Sequence, residues 1–360
     1  MNAKLLISLL LAGSAGPALA AVDLADIRLP DGFAIEVYAE VDNARSLTMG
    51  PDGIVFVSNR RADAVYAVLP DSRRVIEIDD DLATPNGIAY HDGDLYVAEI
   101  SRILVYRDVV RRLNDPPAPD VLDIELPGER HHGWRYIDFG PDGKLYVAIG
   151  APCNVCDKDG FATIVRMNTD GSGREVVARG VRNSVGFTWH PQTGELWFTD
   201  NGRDMLGDDL PPCELNRVSE VGQHFGFPYC HGGDLLDPQF GAGQDCADYA
   251  PPVQRLGPHV APLGLAFYTG DMFPDEYRGR VFIAEHGSWN RSKKIGYLIT
   301  MVTLDGNDAV SYETFAEGWL QGQETRGRPV DVLVLDDGSL LVSDDYDDKL
   351  YRIYYAGVDR

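Results

Sequence analysis

Short apolar runs, each opened by a tight polar turn, recur along the chain. The phrase appears as Gly50–Val57 (GPDGIVFV), Asp92–Val97 (DGDLYV), Gly140–Val147 (GPDGKLYV), Gly194–Phe198 (GELWF), Gly279–Ile283 (GRVFI) and Asp337–Val342 (DGSLLV). Asp-Gly, where present, supplies the positive backbone torsions of a hairpin turn, and the Val, Tyr and Leu that follow suit a buried strand. Other short strands, such as Ala64–Val68 and Ile164–Met167, lie between copies. The copies are spaced by about 40 to 60 residues, apart from one interval near 85, which is the scale of a four-stranded propeller blade. Long amphipathic helices are scarce, which argues against most α/β folds. The pattern therefore predicts an all-β, six-bladed β-propeller. Any all-β protein with many hairpins would share some of these phrases, but not their regular spacing. The long interval, about residues 200–260, is rich in Gly, Pro, Asp and Cys and reads as a loop insertion in one blade. No linker divides the rest, so residues 21–360 are expected to form a single domain.

The first twenty residues stand apart. Lys4 precedes a mostly apolar run, Leu5–Leu11, and Ala18-Leu19-Ala20 has the A-x-A form of a cleavage site. A basic start, a short apolar stretch and small residues before the cut make a secretory signal peptide over residues 1–20. The stretch is too short to span a bilayer, and no later segment is long and apolar enough. The mature chain is expected in a periplasm or outside the cell.

Hydrophobic residues make up 44% of the 360, ample for a sizeable core, and charged residues make up 24%. The formal net charge of -24 repels phosphate backbones and argues against nucleic-acid binding. Export makes disulfides the first reading of the five cysteines. Cys153–Cys156 and Cys230–Cys246 are expected to pair, with Cys213 left free. A redox Cys-x-x-Cys would sit at a helix start near a βαβ pattern, and a zinc site would need further ligands nearby. Neither context is visible.

Five segments carry candidate chemistry. His131-His132-Gly133-Trp134-Arg135 precedes the Gly140 turn, and a histidine there suits a general base; taken alone, a surface or core histidine explains it as well. Arg182-Asn183 and Arg326-Gly327-Arg328 precede repeat phrases at matching points of different blades. Propeller symmetry would bring them to one mouth, where converging guanidinium groups bind carboxylates. Surface ion pairing is the plainer alternative in so acidic a chain. Asp200-Asn201-Gly202-Arg203-Asp204, running on to Asp208, Asp209 and Glu214, offers oxygen ligands of the kind Ca²⁺ takes, without EF-hand spacing. His286–Arg291, with Trp289, reads as a pocket wall at a strand exit or as a turn packed by its tryptophan. No dinucleotide-binding glycine loop, Walker loop, G-x-S-x-G elbow or H-E-x-x-H motif is present.

Together these segments resemble the soluble pyrroloquinoline quinone (PQQ) sugar dehydrogenases, especially the sorbosone dehydrogenase branch, over about residues 30–355. The resemblance is carried by His131–Gly143, Arg182-Asn183, the Asp200-Asn201-Gly202 loop, Arg326-x-Arg328, and Gly222-x-His224-Phe225-Gly226-Phe227-Pro228. It implies PQQ and Ca²⁺ at the propeller mouth. His131 would be the general base, with Arg135 as the arginine four positions on. Arg182, Asn183, Asn201, Arg326 and Arg328 would contact the cofactor, and His286 or Arg291 would stand nearest the family's lysine. Gly202 would hold calcium through its carbonyl, with Arg203 where the family commonly has proline. The family's Asp-Glu pair appears as Cys213-Glu214, which moves the aspartate's role to Asp208 or Asp209 or removes it.

The resulting expectation is a PQQ- and Ca²⁺-dependent dehydrogenase of a sugar, aldose or sugar-derived aldehyde, passing electrons to a cytochrome or other acceptor. The alternatives are a calcium-dependent lactonase or esterase on the same fold, and a non-catalytic propeller that binds a protein or glycan.

Overall fold

A computed structural model describes residues 21–357. The predicted signal peptide lies outside the described residues.

Six antiparallel sheets form the blades of a propeller. Blade 1 holds Leu47–Met49, Val55–Val57, Val65–Val68 and Val75–Asp79. Blade 2 holds Gly87–His91, Asp94–Ala98, Ile103–Tyr106 and Asp120–Val121. Blade 3 holds Ile137–Phe139, Leu145–Ile149, Thr163–Met167 and Glu175–Arg179. Blade 4 holds Phe187–Trp189, Leu196–Asp200, Pro212–Arg217 and Gln254–Pro258. Blade 5 holds Pro262–Phe267, Val281–Glu285, Leu298–Asp305 and Asp308–Glu317. Blade 6 takes Pro329–Val334, Leu340–Asp344 and Lys349–Tyr355 from the end of the chain and Phe33–Glu40 from its beginning. Its outer pair runs from Phe33 opposite Tyr355 to Glu40 opposite Lys349, with a bulge between Val37 and Ala39. The closing blade thus ties the two ends of the ring together and leaves no open seam between first and last sheet.

Every repeat phrase lands on the turn into, and the body of, a second strand. Those strands are the most deeply buried parts of the chain: Val55, Phe56, Val57, Leu95, Val97, Leu145, Val147, Phe198, Val281, Phe282 and Leu341 have no exposed surface. The reason is geometric. A second strand is flanked by strands of its own sheet and covered on both faces by neighbouring blades, so both alternating sets of side chains are apolar. The inner strands come closer still. A Cβ at Gly186 would collide with the Leu263 carbonyl of the next blade, so that approach to the axis requires glycine.

The insertion occupies the connection between the third and fourth strands of blade 4. Gln223–His224 pairs in parallel with Glu175–Arg179, giving blade 3 a fifth strand. Beyond it, Cys230–His231 and Leu235–Leu236 make a small hairpin. Both expected disulfides are formed: Cys153–Cys156 with Cα atoms 6.1 Å apart and Cys230–Cys246 at 5.6 Å. Cys213 is free and buried.

Candidate active site at the propeller mouth

One mouth of the ring is made by the loops that leave each second strand and those that enter each inner strand. They enclose a cavity of about 490 Å³. Six arginines line it, Arg45, Arg60, Arg61, Arg130, Arg182 and Arg328, with four histidines, His131, His132, His259 and His286. Asp204 is the one carboxylate on the wall among the described residues. A cation-lined hollow in a chain of net charge -24 is a local inversion of the protein's field, and such inversions mark anion sites.

Backbone hydrogen bonds set two of the arginines. The amides of Arg182 and Asn183 donate to the Asp200 carboxylate at 2.8 and 2.7 Å, and the amide of Arg328 donates to Asp344 at 2.9 Å. Asp200 and Asp344 both end second strands, so the two arginines do occupy matching points of blades 4 and 6. Burial raises both carboxyls, Asp200 to about 8 and Asp344 to about 7, against the amide bonds that favour their ionised forms.

The Arg182 side chain is a clamp. It donates to the Asn154 carbonyl at 2.8 Å, to Asn154 Oδ1 at 3.0 Å, to the Asn201 carbonyl at 3.1 Å and to Asp204 at 3.1 Å. It therefore joins the Cys153–Cys156 loop to the Asn201–Asp204 loop. Asn201 Nδ2 in turn donates to the Asn183 and Pro262 carbonyls, bridging blades 4 and 5. Gly202 lines the cavity, and among the described residues no group donates a hydrogen bond to its carbonyl or to that of Arg203.

Opposite that wall, Arg45 is buried and pairs with Asp345 at 2.7 Å. Asp345 also accepts from His286 Nε2 at 2.7 Å. These partners hold the Asp345 carboxyl well below the usual range, and burial holds His286 down to about 4. Arg60 lies 4.2 Å over the Trp134 ring and 3.9 Å from Asp345. Burial, with Arg45 beside it, pushes the Arg60 guanidinium down to about 10. Arg328 donates to the carbonyls of His286 and Gly287, and burial lowers it too. An anion placed among these groups would relieve their mutual repulsion.

The two adjacent histidines differ. His131 is exposed and lines the cavity. His132 has a left-handed backbone (φ 49°), and its Nδ1 lies 2.8 Å from the Ala151 carbonyl. Only a protonated Nδ1 can make that bond, which leaves Nε2 as the basic atom. Burial, then the Arg182 charge, pushes His132 down to about 2, so its ring is neutral. Arg135 is turned away, donating to the Ile100 and Pro127 carbonyls, and so braces the loop that carries both histidines.

His131, Arg182, Asn183, Asn201, Gly202, His286 and Arg328 thus converge on one cavity. Three expected residues do not. Arg326 lies off the wall because the Leu320–Thr325 hairpin turns its guanidinium back onto Glu324 at 2.9 Å. Arg291 folds over the rim onto the Asp208 carbonyl and Asp209. The Arg203 side chain is buried against Asp237, which also takes His231 Nε2 at 2.9 Å. Conversely, Arg45, Arg60, Arg61, Arg130 and His259 were assigned no role from the sequence, and His132 stood in a candidate segment without a role of its own. A signal existed for Arg45, which precedes the Gly50 phrase much as Arg182 precedes the Gly194 phrase. None existed for the loop arginines, whose positions follow from no repeat.

Residues 123–352 match the sequence profile of the family described as Glucose / Sorbosone dehydrogenase. A protein of Borreliella burgdorferi, described only as uncharacterized, is 37% identical over 349 residues, 92% of either chain. Among solved structures, the calcium structure of a Trichoderma reesei carbohydrate-active enzyme of family AA12 superposes with a TM-score of 0.82 at 18% identity, covering 94% of this chain and 99% of that one. The holo form of the pyranose dehydrogenase PQQ domain from Coprinopsis cinerea gives 0.77 at 18% identity, covering 91% and 97%. At such identities the structural likeness speaks to the fold. The profile match, which takes in well over half the chain, speaks to descent: the chain belongs to the glucose/sorbosone dehydrogenase family.

Proposed function

We propose that the protein is a PQQ- and Ca²⁺-dependent dehydrogenase that oxidises a sugar, aldose or sugar-derived aldehyde. The observation that carries this reading is the concentration of six guanidinium groups around a 490 Å³ hollow. PQQ is a planar tricarboxylate, and guanidinium groups bind carboxylates with directional, bidentate hydrogen bonds. Arg45, Arg60, Arg182 and Arg328 would hold its carboxylates, with Asn183, Asn201 and His286 beside them. The unclaimed carbonyls of Gly202 and Arg203 suit a hard cation that takes oxygen ligands. Bound there, the pair would supply a two-electron acceptor whose quinone carbonyl is polarised by the metal.

The chain's own part is proton handling and placement. His131, open to the cavity, would take the substrate hydroxyl proton as the hydride leaves the same carbon. One C–H and one O–H bond are lost and a C=O bond is formed. His132, fixed by Ala151, backs that ring at a centroid distance of 4.1 Å. Burial makes its own Nε2 only weakly basic. The two disulfides and the N-terminal pattern support an exported, periplasmic or secreted enzyme. A separate acceptor, such as a cytochrome, would then remove the electrons.

The test is reconstitution of purified protein with PQQ and CaCl₂, followed by dye reduction with a panel of aldoses and aldehydes. PQQ-dependent dye reduction is the expected result. Lactone cleavage in Ca²⁺ alone, with no dye reduction by any sugar, would place the protein among the hydrolases instead.

A further inference from the structure

The mouth holds more positive charge than the proposed cofactor needs. Asp345 offsets Arg45, and Asp204 offsets Arg182. That leaves four of the six wall arginines without a carboxylate of their own. Three carboxylates on PQQ would leave one positive charge over, and bound Ca²⁺ would add two more.

The surplus has an address. Arg61 and Arg130 line the cavity but are exposed at its rim. Neither has a carboxylate within 4.0 Å among the described residues. Carboxylates are not scarce in this chain, with 56 Asp and Glu against 32 Lys and Arg. Elsewhere on the surface single arginines gather two of them: Arg107 with Asp94 and Asp120, Arg166 with Asp142 and Glu175, Arg352 with Glu36 and Asp337. Other exposed arginines without a carboxylate partner, Arg74, Arg112, Arg174 and Arg179, do not line this cavity, whereas the two at its rim do. The loop carrying Arg61 is anchored, since Asn43 Oδ1 accepts from the amides of both Arg60 and Arg61 at 3.2 and 2.9 Å.

Across the ring stands Trp289. It leaves the second strand of blade 5, three blades from blade 2, whose outgoing connection carries Arg130. It lines the same cavity and is 69% exposed. An indole that open is a face for an apolar surface to lie on, such as the C–H side of a sugar ring.

We propose that the substrate is a sugar bearing an anionic group, a uronate carboxylate or a phosphate ester, with the anion on Arg61 and Arg130 and the ring against Trp289. This rests on the dehydrogenase reading and narrows it to a substrate class. A neutral aldose would leave two guanidinium groups at the rim unused.

The experiment uses the PQQ- and Ca²⁺-loaded protein and three probes: D-glucuronate, D-glucose 6-phosphate and D-glucose. Binding is followed by tryptophan fluorescence without an electron acceptor, and turnover by dye reduction. At least one anionic sugar should bind and turn over better than glucose, and the two anions separate carboxylate from phosphate recognition. Arg61→Gln and Arg130→Gln should each lower the anion-to-glucose ratio of kcat/KM by about 10- to 100-fold, the usual worth of a hydrogen bond to a charged group. Glucose binding and turnover equal to both anions, or variants that leave the ratio within about twofold, would overturn the proposal while leaving the dehydrogenase reading intact. Selective binding of an anion with no sugar oxidised would do the reverse.

Discussion

Removing the Arg182 guanidinium should loosen the cavity wall before it affects any ligand. In Arg182→Met the chain length is nearly kept and the charge is lost. Four acceptors then lose their donor: the Asn154 carbonyl and Oδ1, the Asn201 carbonyl and the Asp204 carboxylate. The arginine side chain is 4% exposed and that of Asp204 19%, so water reaches the stranded carboxylate only in part. Breaking such a pair from one side costs about 3–5 kcal/mol. A chain of 360 residues has an unfolding entropy of about 0.76 kcal/mol per kelvin, at about 2.1 cal/mol/K per residue. The expected fall in Tm is therefore about 4–7 °C, read by circular dichroism on the apo protein at pH 7. Asp204→Asn on the same background should recover part of the loss, because it removes the stranded charge; a coupling of about 1 kcal/mol or more is expected for groups in direct contact. A Tm within about 1 °C of wild type, or strictly additive effects, would refute the clamp.

His131→Ala should lower sugar turnover about 10²- to 10⁴-fold at saturating PQQ, the usual worth of a positioned general base, with the PQQ titration little changed; unaltered turnover would strip His131 of that role. Arg328→Gln should weaken PQQ binding about 10-fold or more, whereas Arg326→Gln should leave it within about twofold, because that guanidinium is engaged with Glu324. His132 is held neutral, at about 2 against an ordinary value near 6.5. The unfolded chain therefore binds a proton that the folded chain refuses, and stability falls as pH drops below about 6.5, by up to about 1.4 kcal/mol per pH unit. His132→Gln should flatten that acid slope in urea titrations between about pH 6 and pH 4, and an unchanged slope would count against the burial described here. Reducing both disulfides should speed amide hydrogen exchange in the Asn201–Asp204 loop but not at Arg60 and Arg61; a uniform rise would contradict the separate bracing of the two walls.

The blades were legible because a buried second strand demands apolar side chains on both faces and a tight turn before it. Those two demands put Gly140–Val147 and its counterparts into the sequence as visible copies. The blade with the insertion was legible too, since Gly, Pro, Asp and Cys mark chain that no sheet needs. Site residues followed the same logic only where symmetry carried them. Arg182 and Arg328 sit beside repeat phrases, and their amides share one capping device. Arg60 and Arg130 come from loops of unrelated length, and nothing in the sequence says that Trp134 will lie under the first. Arg326 failed for the opposite reason: it stands in the right tripeptide, but it directly follows the Leu320–Thr325 hairpin, whose Glu324 takes its guanidinium. One arginine of the pair enters the cavity, and the other meets Glu324 outside.

The mouth has two kinds of wall, and their difference bears on function. On the side of blades 3 and 4, every loop is held by something buried or covalent. Cys153–Cys156 closes one loop, and Arg182 ties it to the next. The Arg203–Asp237–His231 group fastens that loop to the insertion, which Cys230–Cys246 closes in turn. Such a wall costs folding free energy in desolvated charge, which well-packed apolar groups would not. What it provides is position: the carbonyls of Gly202 and Arg203 are held in place, so a cation bound there, as proposed, would lose little entropy to ordering. The rim of Arg61, Arg130 and His131 is built differently: its loops are anchored as well, by Asn43 and by Arg135, but these three side chains themselves are exposed. A fixed wall suits a cofactor that stays, and an open, charged rim suits a substrate that must enter and leave at every turnover.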